Sequence, residues 1–343
     1  MTELPVVVPV DRSGEAALRG RIDGKAKPPG ALGEIEALAV ELALMTGGAR
    51  RLDRARLLVF AGDHGLNEEG VSSYPSAVTA AMVATLLAGK ASANAFARAV
   101  GAEVTVVDAG VDADLAAHPM LVDAKVRRGT RNAAREAALT AAEVDQALAR
   151  GAAIARAAAE DGVDILAFGE MGIGDSAAAA LILHRLAPAP LAECVGRGAG
   201  HDDAGLARKL ATLERAAART DATAPLEVLA EFGGLEIIMI AGAVIGAASA
   251  RRPVLVDGFI SSAAALAAIR LVPAARDYCI FSHRSAERGH QVMLQALGAR
   301  PLLDLSLRLG EGTGALLALP LVRAASALLS EVADLADVLE GRL

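Results

Sequence analysis

Six short apolar runs, each closed by glycine, aspartate or a polar turn, constrain this chain more than any other feature. They fall at residues 57–61, 104–108, 165–168, 254–257, 278–281 and 302–305. Continuous runs of this length suit strands covered on both faces, as in a parallel sheet. The segments between them are alanine-rich and helical by pattern. The clearest opens at Thr140, where Thr140-Ala-Ala-Glu143 spells a capping box for a helix reaching Glu160. Alternating strand and helix predicts an open, doubly wound α/β sheet. Residues 32–46 and 316–343 carry helical periodicity without strands. The expected division is therefore a large α/β domain over 51–304 and a small helical domain built from 1–50 and 305–343. Ala187-Pro-Ala-Pro190 reads as a rigid connector.

Composition removes several classes of function. With 343 residues, 54% hydrophobic and 22% charged, the chain can bury a sizeable core and is not disordered. It holds no Trp, two Tyr and six Phe, which leaves few rings for stacking single-stranded bases. A net charge of −7 argues against a nucleic-acid partner. The longest uncharged apolar run, 237–250, is interrupted by two glycines and too short to cross a bilayer; a buried helix is expected there and no membrane partner. Cys194 and Cys279 lie far apart, and no signal peptide is read in residues 1–9, so a reducing cytoplasm is the expected compartment.

Ligands of open α/β sheets gather outside the carboxyl ends of the strands. Here those ends read Phe60-Ala-Gly-Asp63-His64, Phe168-Gly-Glu170-Met171-Gly172, Asp257-Gly-Phe259 and Phe281-Ser-His283. Gly172-Ile-Gly174-Asp175-Ser176 follows a strand and opens a helix, a context that suits phosphate binding or a simple helix cap. With Ala177 it also matches a dinucleotide fingerprint, for which Glu193 would be the ribose-binding acid of an oxidoreductase. Gly196-Arg-Gly198-Ala-Gly200 precedes a basic helix with Arg208 and Lys209, either an anion loop or a solvated turn. It lacks a P-loop ending.

Gly310-Glu311-Gly312-Thr-Gly314 sets one carboxylate among glycines, open to a planar substrate; desolvation there would raise its pKa towards that of a general base. The bland alternative is a first-turn Glu favoured by the helix dipole. His283, Glu287 and His290 stand at i, i+4 and i+7, one helix face that could ligate a metal or hold hydrogen-bonded histidines. Asp63-His64 reads equally as a ligand pair, an acid–base pair or a polar turn.

Taken together, these segments resemble the nicotinate-nucleotide:dimethylbenzimidazole phosphoribosyltransferase family of cobalamin biosynthesis. The carriers are Gly62-Asp-His-Gly65, Glu69-Gly-Val-Ser72 with Tyr74-Pro75, Gly169-Glu-Met-Gly-Ile-Gly174, Gly196-Arg-Gly198, Ser282-His283 with Gly289-His290, and Gly310-Glu-Gly-Thr-Gly314. The resemblance implies transfer of ribose 5-phosphate from nicotinate mononucleotide to 5,6-dimethylbenzimidazole or a related base, with inversion at the anomeric carbon. It implies a Rossmann-like, mostly parallel sheet with helices on both faces, a homodimer, and no metal or redox cofactor. Glu311 would be the catalytic base. Ser73, Tyr74, Ala81, Glu170, Met171 and Leu309 would surround the acceptor. Gly172, Gly174, Asp175, Ser176, Gly198, Gly200, Lys209 and Ser285 would surround the nucleotide and its phosphate. Three positions depart from the family: Ala81 where Gln is common, Asp175 where Asn is common, and Ala199 in place of a usual Thr. They leave room for another acceptor base or a non-catalytic nucleotide-binding paralogue. With so few rings, the acceptor is expected to be gripped by Met171 and Leu309, over a floor of strand-end phenylalanines.

Overall fold

The computed structural model describes residues 4–342; the outermost residues assigned to the small helical domain, 1–3 and 343, lie outside them. Six strands form one sheet: β1 (Ala55–Gly62), β2 (Glu103–Gly110), β3 (Leu121–Asp123), β4 (Ile165–Met171), β5 (Val254–Val256) and β6 (Cys279–Phe281). Their order is β3-β2-β1-β4-β5-β6, and every neighbouring pair is parallel. The chain winds outward from β1 in one direction and from β4 in the other, so the topological switch falls between β1 and β4. The doubly wound α/β expectation holds.

Both faces of the sheet are covered. Leu57 to Gly62 of β1 are all buried, which is why these strands read as unbroken apolar runs. Leu57 and Gly62 are an odd number of positions apart along the strand and so face opposite sides. A Cβ on Gly62 would meet Glu236, in the first turn of the Leu235–Ser249 helix. On the other side, Leu57 packs where a Cβ on Gly312 would stand, just ahead of the Thr313–Glu331 helix. The central apolar run is thus a buried helix, as expected. Thr140 caps the Ala141–Glu160 helix: its Oγ1 accepts from Glu143 N at 3.2 Å, and Thr140 N donates to Glu143 Oε2 at 2.7 Å.

Two of the expectations fail. Residues 302–305 are not a strand. Only Leu303 bridges, to His283, before Ser306 turns into a left-handed conformation (φ 56°) that breaks the extension. Conversely, β3 went unpredicted because it spans three incompletely buried residues and carries no apolar run. The strand-end phenylalanines also serve the core rather than a ligand. Phe60 and Phe168 stack edge-on at 6.1 Å, Phe259 packs beside His290, and Phe281 lies under the Arg276 guanidinium.

The Ala141–Glu160 and Leu235–Ser249 helices touch backbone to backbone. A Cβ on Gly151 would strike the Met239 carbonyl, and one on Gly242 the Leu148 carbonyl. Neither partner is a movable side chain, so Gly242→Ala should lower stability by about 1–3 kcal/mol, read from the midpoint of chemical denaturation.

Candidate active site

The carboxyl ends of β1 and β4 open into a cleft lined by Ser72, Glu170, Met171, Asp175, Arg308 and Leu309, with both glycine loops in its walls. Its volume is about 120 Å³. That suits a phosphate group and falls short of the roughly 300–1,000 Å³ that encloses a whole small ligand, so anything larger must extend towards the mouth. A larger hollow of about 640 Å³ lies between the Glu34–Thr46 helix and β6. Its arginines are already engaged: Arg12 with Glu41, Arg300 with Glu34, Arg276 with backbone carbonyls. It offers no free cation among its lining residues.

The first glycine loop leads from β4 into the Asp175–Leu186 helix, with Gly174 left-handed at φ 104°. Thr79 ties it down, its Oγ1 accepting from Ile173 N at 3.1 Å. The second loop closes over it. A Cβ on Gly198 (φ 55°) would lie 3.0 Å from Ser176 Oγ and 3.3 Å from Lys209 Nζ. Lys209, 1% exposed, donates from Nζ to Ser176 Oγ at 3.0 Å. Burial lowers its pKa, while Glu287 and Asp175 work to keep it charged. A buried ammonium, a helix N-terminus and two glycine loops converge on one small volume, an arrangement that suits an anion.

The carboxylates lie on the other side. Gly310, Glu311 and Gly312 are three consecutive left-handed residues, at φ 88°, 60° and 78°. This turn packs on β4: a Cβ on Gly169 would strike the backbone of Glu311 and Gly312, and one on Gly310 would strike Glu170 Oε1. The glycines flanking Glu311 therefore answer to backbone conformation and strand contact. Glu311 is buried, and its Oε2 has no partner. Burial raises its pKa, with the Ala93 amide opposing and Asp257 reinforcing. Burial, with Asp175 and Asp257 beside it, holds Glu170 well above the ordinary carboxylate value.

The other sequence-singled residues are distributed around this frame. Ser73 Oγ bonds His201 Nδ1 at 3.1 Å, and His201 Nε2 reaches Val71 O at 2.9 Å, so the 71–74 segment is tethered to the second loop. Tyr74 is 48% and Leu309 58% exposed at the rim. Ala81 is exposed on the Ala77–Leu87 helix and contributes nothing to the cleft lining. Gly200 (φ 117°), Ser285, Lys209 and Glu311 stand outside that lining too, Lys209 reaching it through Ser176. Glu193 is exposed in the Leu191–Cys194 helix rather than at a strand end, which removes the dinucleotide reading.

The helix-face reading of His283, Glu287 and His290 also fails. The helix is Arg288–Ala296, with Glu287 as its N-cap, so His283 and Glu287 precede it. Among the described residues no group of three or more His, Cys, Asp or Glu could hold a metal. His290 instead supports the Ser285 turn. Its Nδ1 accepts from Ser285 N at 2.8 Å, which leaves the proton on Nε2, directed at Ser262 Oγ at 3.0 Å. Asp63-His64 divides: Asp63 accepts from Asp112 N at 2.8 Å, while His64 Nε2 meets Glu236 Oε1 at 2.7 Å beneath the first loop. Glu236, Arg308 and His201 were not read as site residues. The one signal for Glu236 was its place after Gly233-Gly234, an acid at the head of an apolar run.

A parallel sheet with glycine loops and a buried ammonium at its switch point defines an α/β protein whose cleft suits a phosphate-bearing ligand. A phosphoribosyltransferase family matches residues 7–338. The chain is 51% identical to the nicotinate-nucleotide–dimethylbenzimidazole phosphoribosyltransferase of Cupriavidus necator, covering 96% of each chain. It is 54% identical to the protein of that name from Ralstonia nicotianae, over 94% of this chain and 92% of the relative. It superposes on the crystal structure of CobT from Thermus thermophilus with a TM-score of 0.92, at 45% identity over 94% of this chain and 98% of that one. The chain belongs to the nicotinate-nucleotide–dimethylbenzimidazole phosphoribosyltransferase family.

Burial, with His283 beside it, pushes the His290 imidazole down to about 3. Its carbon and nitrogen NMR shifts should stay those of the neutral Nε2–H tautomer from about pH 8 to pH 5, the range in which an ordinary histidine titrates.

Proposed function

We propose that this enzyme moves ribose 5-phosphate from nicotinate mononucleotide to 5,6-dimethylbenzimidazole, releasing nicotinate and forming α-ribazole 5′-phosphate for the lower ligand of cobalamin. What supports the chemistry is an anion cradle at Ser176 and Lys209 together with the buried carboxyl of Glu311, whose Oε2 has no partner, on the turn that packs against β4. In this reading the 5′-phosphate lies against the two glycine loops. Met171 and Leu309 flank the acceptor ring and Glu170 orients it. One ring nitrogen attacks the anomeric carbon with its lone pair. Nicotinate leaves with the electrons of the broken C–N bond, and the configuration inverts. The other ring nitrogen gives its proton to Glu311, whose raised pKa brings it closer to the working pH of a general base.

Glu311→Gln keeps the shape and removes the base. Turnover, followed as nicotinate release, should fall by about 10²–10⁴-fold, with nucleotide affinity changed little. Equal turnover in the variant would reject Glu311 as the base.

The homodimer is part of this proposal. The Ala77–Leu87 helix carries no charge, and only Thr79, Val83 and Leu86 are buried, so an apolar surface beside Tyr74 is left open. Light scattering should give twice the 34.8 kDa chain. Ala84→Arg, on the open face, should return the chain mass, and a wild-type monomer would reject the dimer. Residues 51–304 are proposed as the large domain of each subunit, with 1–50 and 305–343 forming the small one. Burial lifts the thiols of Cys194 and Cys279, both free, to about 12. Unoxidised, inert thiols suit the cytoplasm, where we place the reaction.

A further inference from the structure

Asp175 already occupies one backbone donor that a phosphate would use. Its Oδ1 accepts the Ser176 N–H at 2.6 Å, in the first turn of the Asp175–Leu186 helix, and Lys209 reaches the Ser176 hydroxyl beside it. The charged groups around it are His64 and Glu236 beneath the loop, Glu170 on β4, Lys209 behind, and Glu287 and Arg308 across the cleft. Counting Asp175, the carboxylates outnumber the cations even with His64 protonated. His64 cannot turn to pair with Asp175. Its ring and Glu236 are caged by Gly62, Gly172, Gly174 and Gly234, at each of which a Cβ would meet one of the two side chains. Lys209 is equally fixed by burial.

A phosphate dianion entering this space meets a resident anion whose buried neighbours, His64 and Lys209, are fixed; the exposed Arg308 can swing onto the phosphate, but the repulsion from Asp175 itself is removed by a proton. We infer that Asp175 is the charge-compensating residue of the phosphate end, taking one proton from solvent as the nucleotide binds and yielding the Ser176 N–H to the phosphate. This rests on reading the cleft as the phosphate site. No covalent bond changes apart from the new carboxyl O–H.

The sign follows from the free state. Burial raises the Asp175 carboxyl, His64 holds it down, Glu236 lifts it and Lys209 opposes, leaving it at about 7. Below that pH the group is already neutral, and binding draws no proton from it. Above it, each pH unit should cost up to about tenfold in nucleotide affinity, until the pKa of the bound state is reached.

The experiment is titration calorimetry with nicotinate mononucleotide in buffers of different ionisation enthalpy, on the full chain and on Asp175→Asn. Asparagine keeps the oxygen that accepts from Ser176 and removes the charge. Proton uptake by the wild type in excess of the variant should approach about one at pH 8.5 and vanish near pH 6, and the variant's affinity should lose its decline above pH 7. Equal uptake by the two proteins overturns the inference. So does a wild-type heat independent of buffer at about pH 8.5, which needs no variant. A wild type that binds no nucleotide at any pH overturns the phosphate-site reading itself, and the inference with it.

Discussion

The site depends on one close contact, the docking of the Gly310–Gly312 turn against Gly169 and Glu170 of β4. No side chain fits between these backbones, and the turn needs three left-handed residues in succession. Two are glycine, for which the conformation is free of steric cost; the third is Glu311, for which it costs about 1–2 kcal/mol. Packing on the strand outweighs that cost, and the result is a carboxylate carried from the far end of the chain to the switch point of the sheet. The turn also starts the Thr313–Glu331 helix, whose Ala315 N–H donates to Asp257 at 2.8 Å. The same contact therefore orients the acid and sets one of the helices that cover the sheet.

The second constraint is electrostatic. Glu170, Asp257, Glu311 and Glu236 are all buried, while among the described residues the only buried cation beside the loops is Lys209. Burying carboxylates without partners is unfavourable, so the protein holds several of them above their ordinary pKa. A site for proton removal benefits from a carboxylate that is a stronger base than one in water. The cost is partly offset by ordered donors such as the Ala315 amide at Asp257 and by the His64–Glu236 pair. Most of the glycines at the switch point serve this packing: they admit the rings and carboxyls that a Cβ would exclude.

Much of the fold was legible before the structure. Continuous apolar runs marked five of the six strands because a strand covered on both faces has no polar side to interrupt it. Thr140 and Glu143 announced their helix because a capping box is a local interaction. Residues 302–305 had the same appearance, yet a single left-handed residue at Ser306 and pairing limited to one bridge left them outside the sheet. β3 was invisible because three residues at an edge need no apolar pattern. In the site, the two glycine loops and Glu311 stood out by composition. Ser73 and Ala81 drew attention only through family resemblance, and the structure puts the first on His201 and the second on an open helix face.

The sequence by itself determined the strand–helix alternation, the parallel sheet and the short list of loops able to hold an anion or a base, since each follows from local periodicity or from glycine's conformational freedom. Tertiary structure alone decided which of those loops meet. Glu236 lies 172 residues from His64, and Lys209 lies 33 from Ser176. Their pairing, their burial and the resulting shifts in pKa arise from desolvation by neighbours distant in sequence, which no local pattern encodes. The aromatic poverty of the chain has the same resolution: its phenylalanines brace the core behind the cleft, and the walls are left to glycine, aliphatic side chains and buried charge.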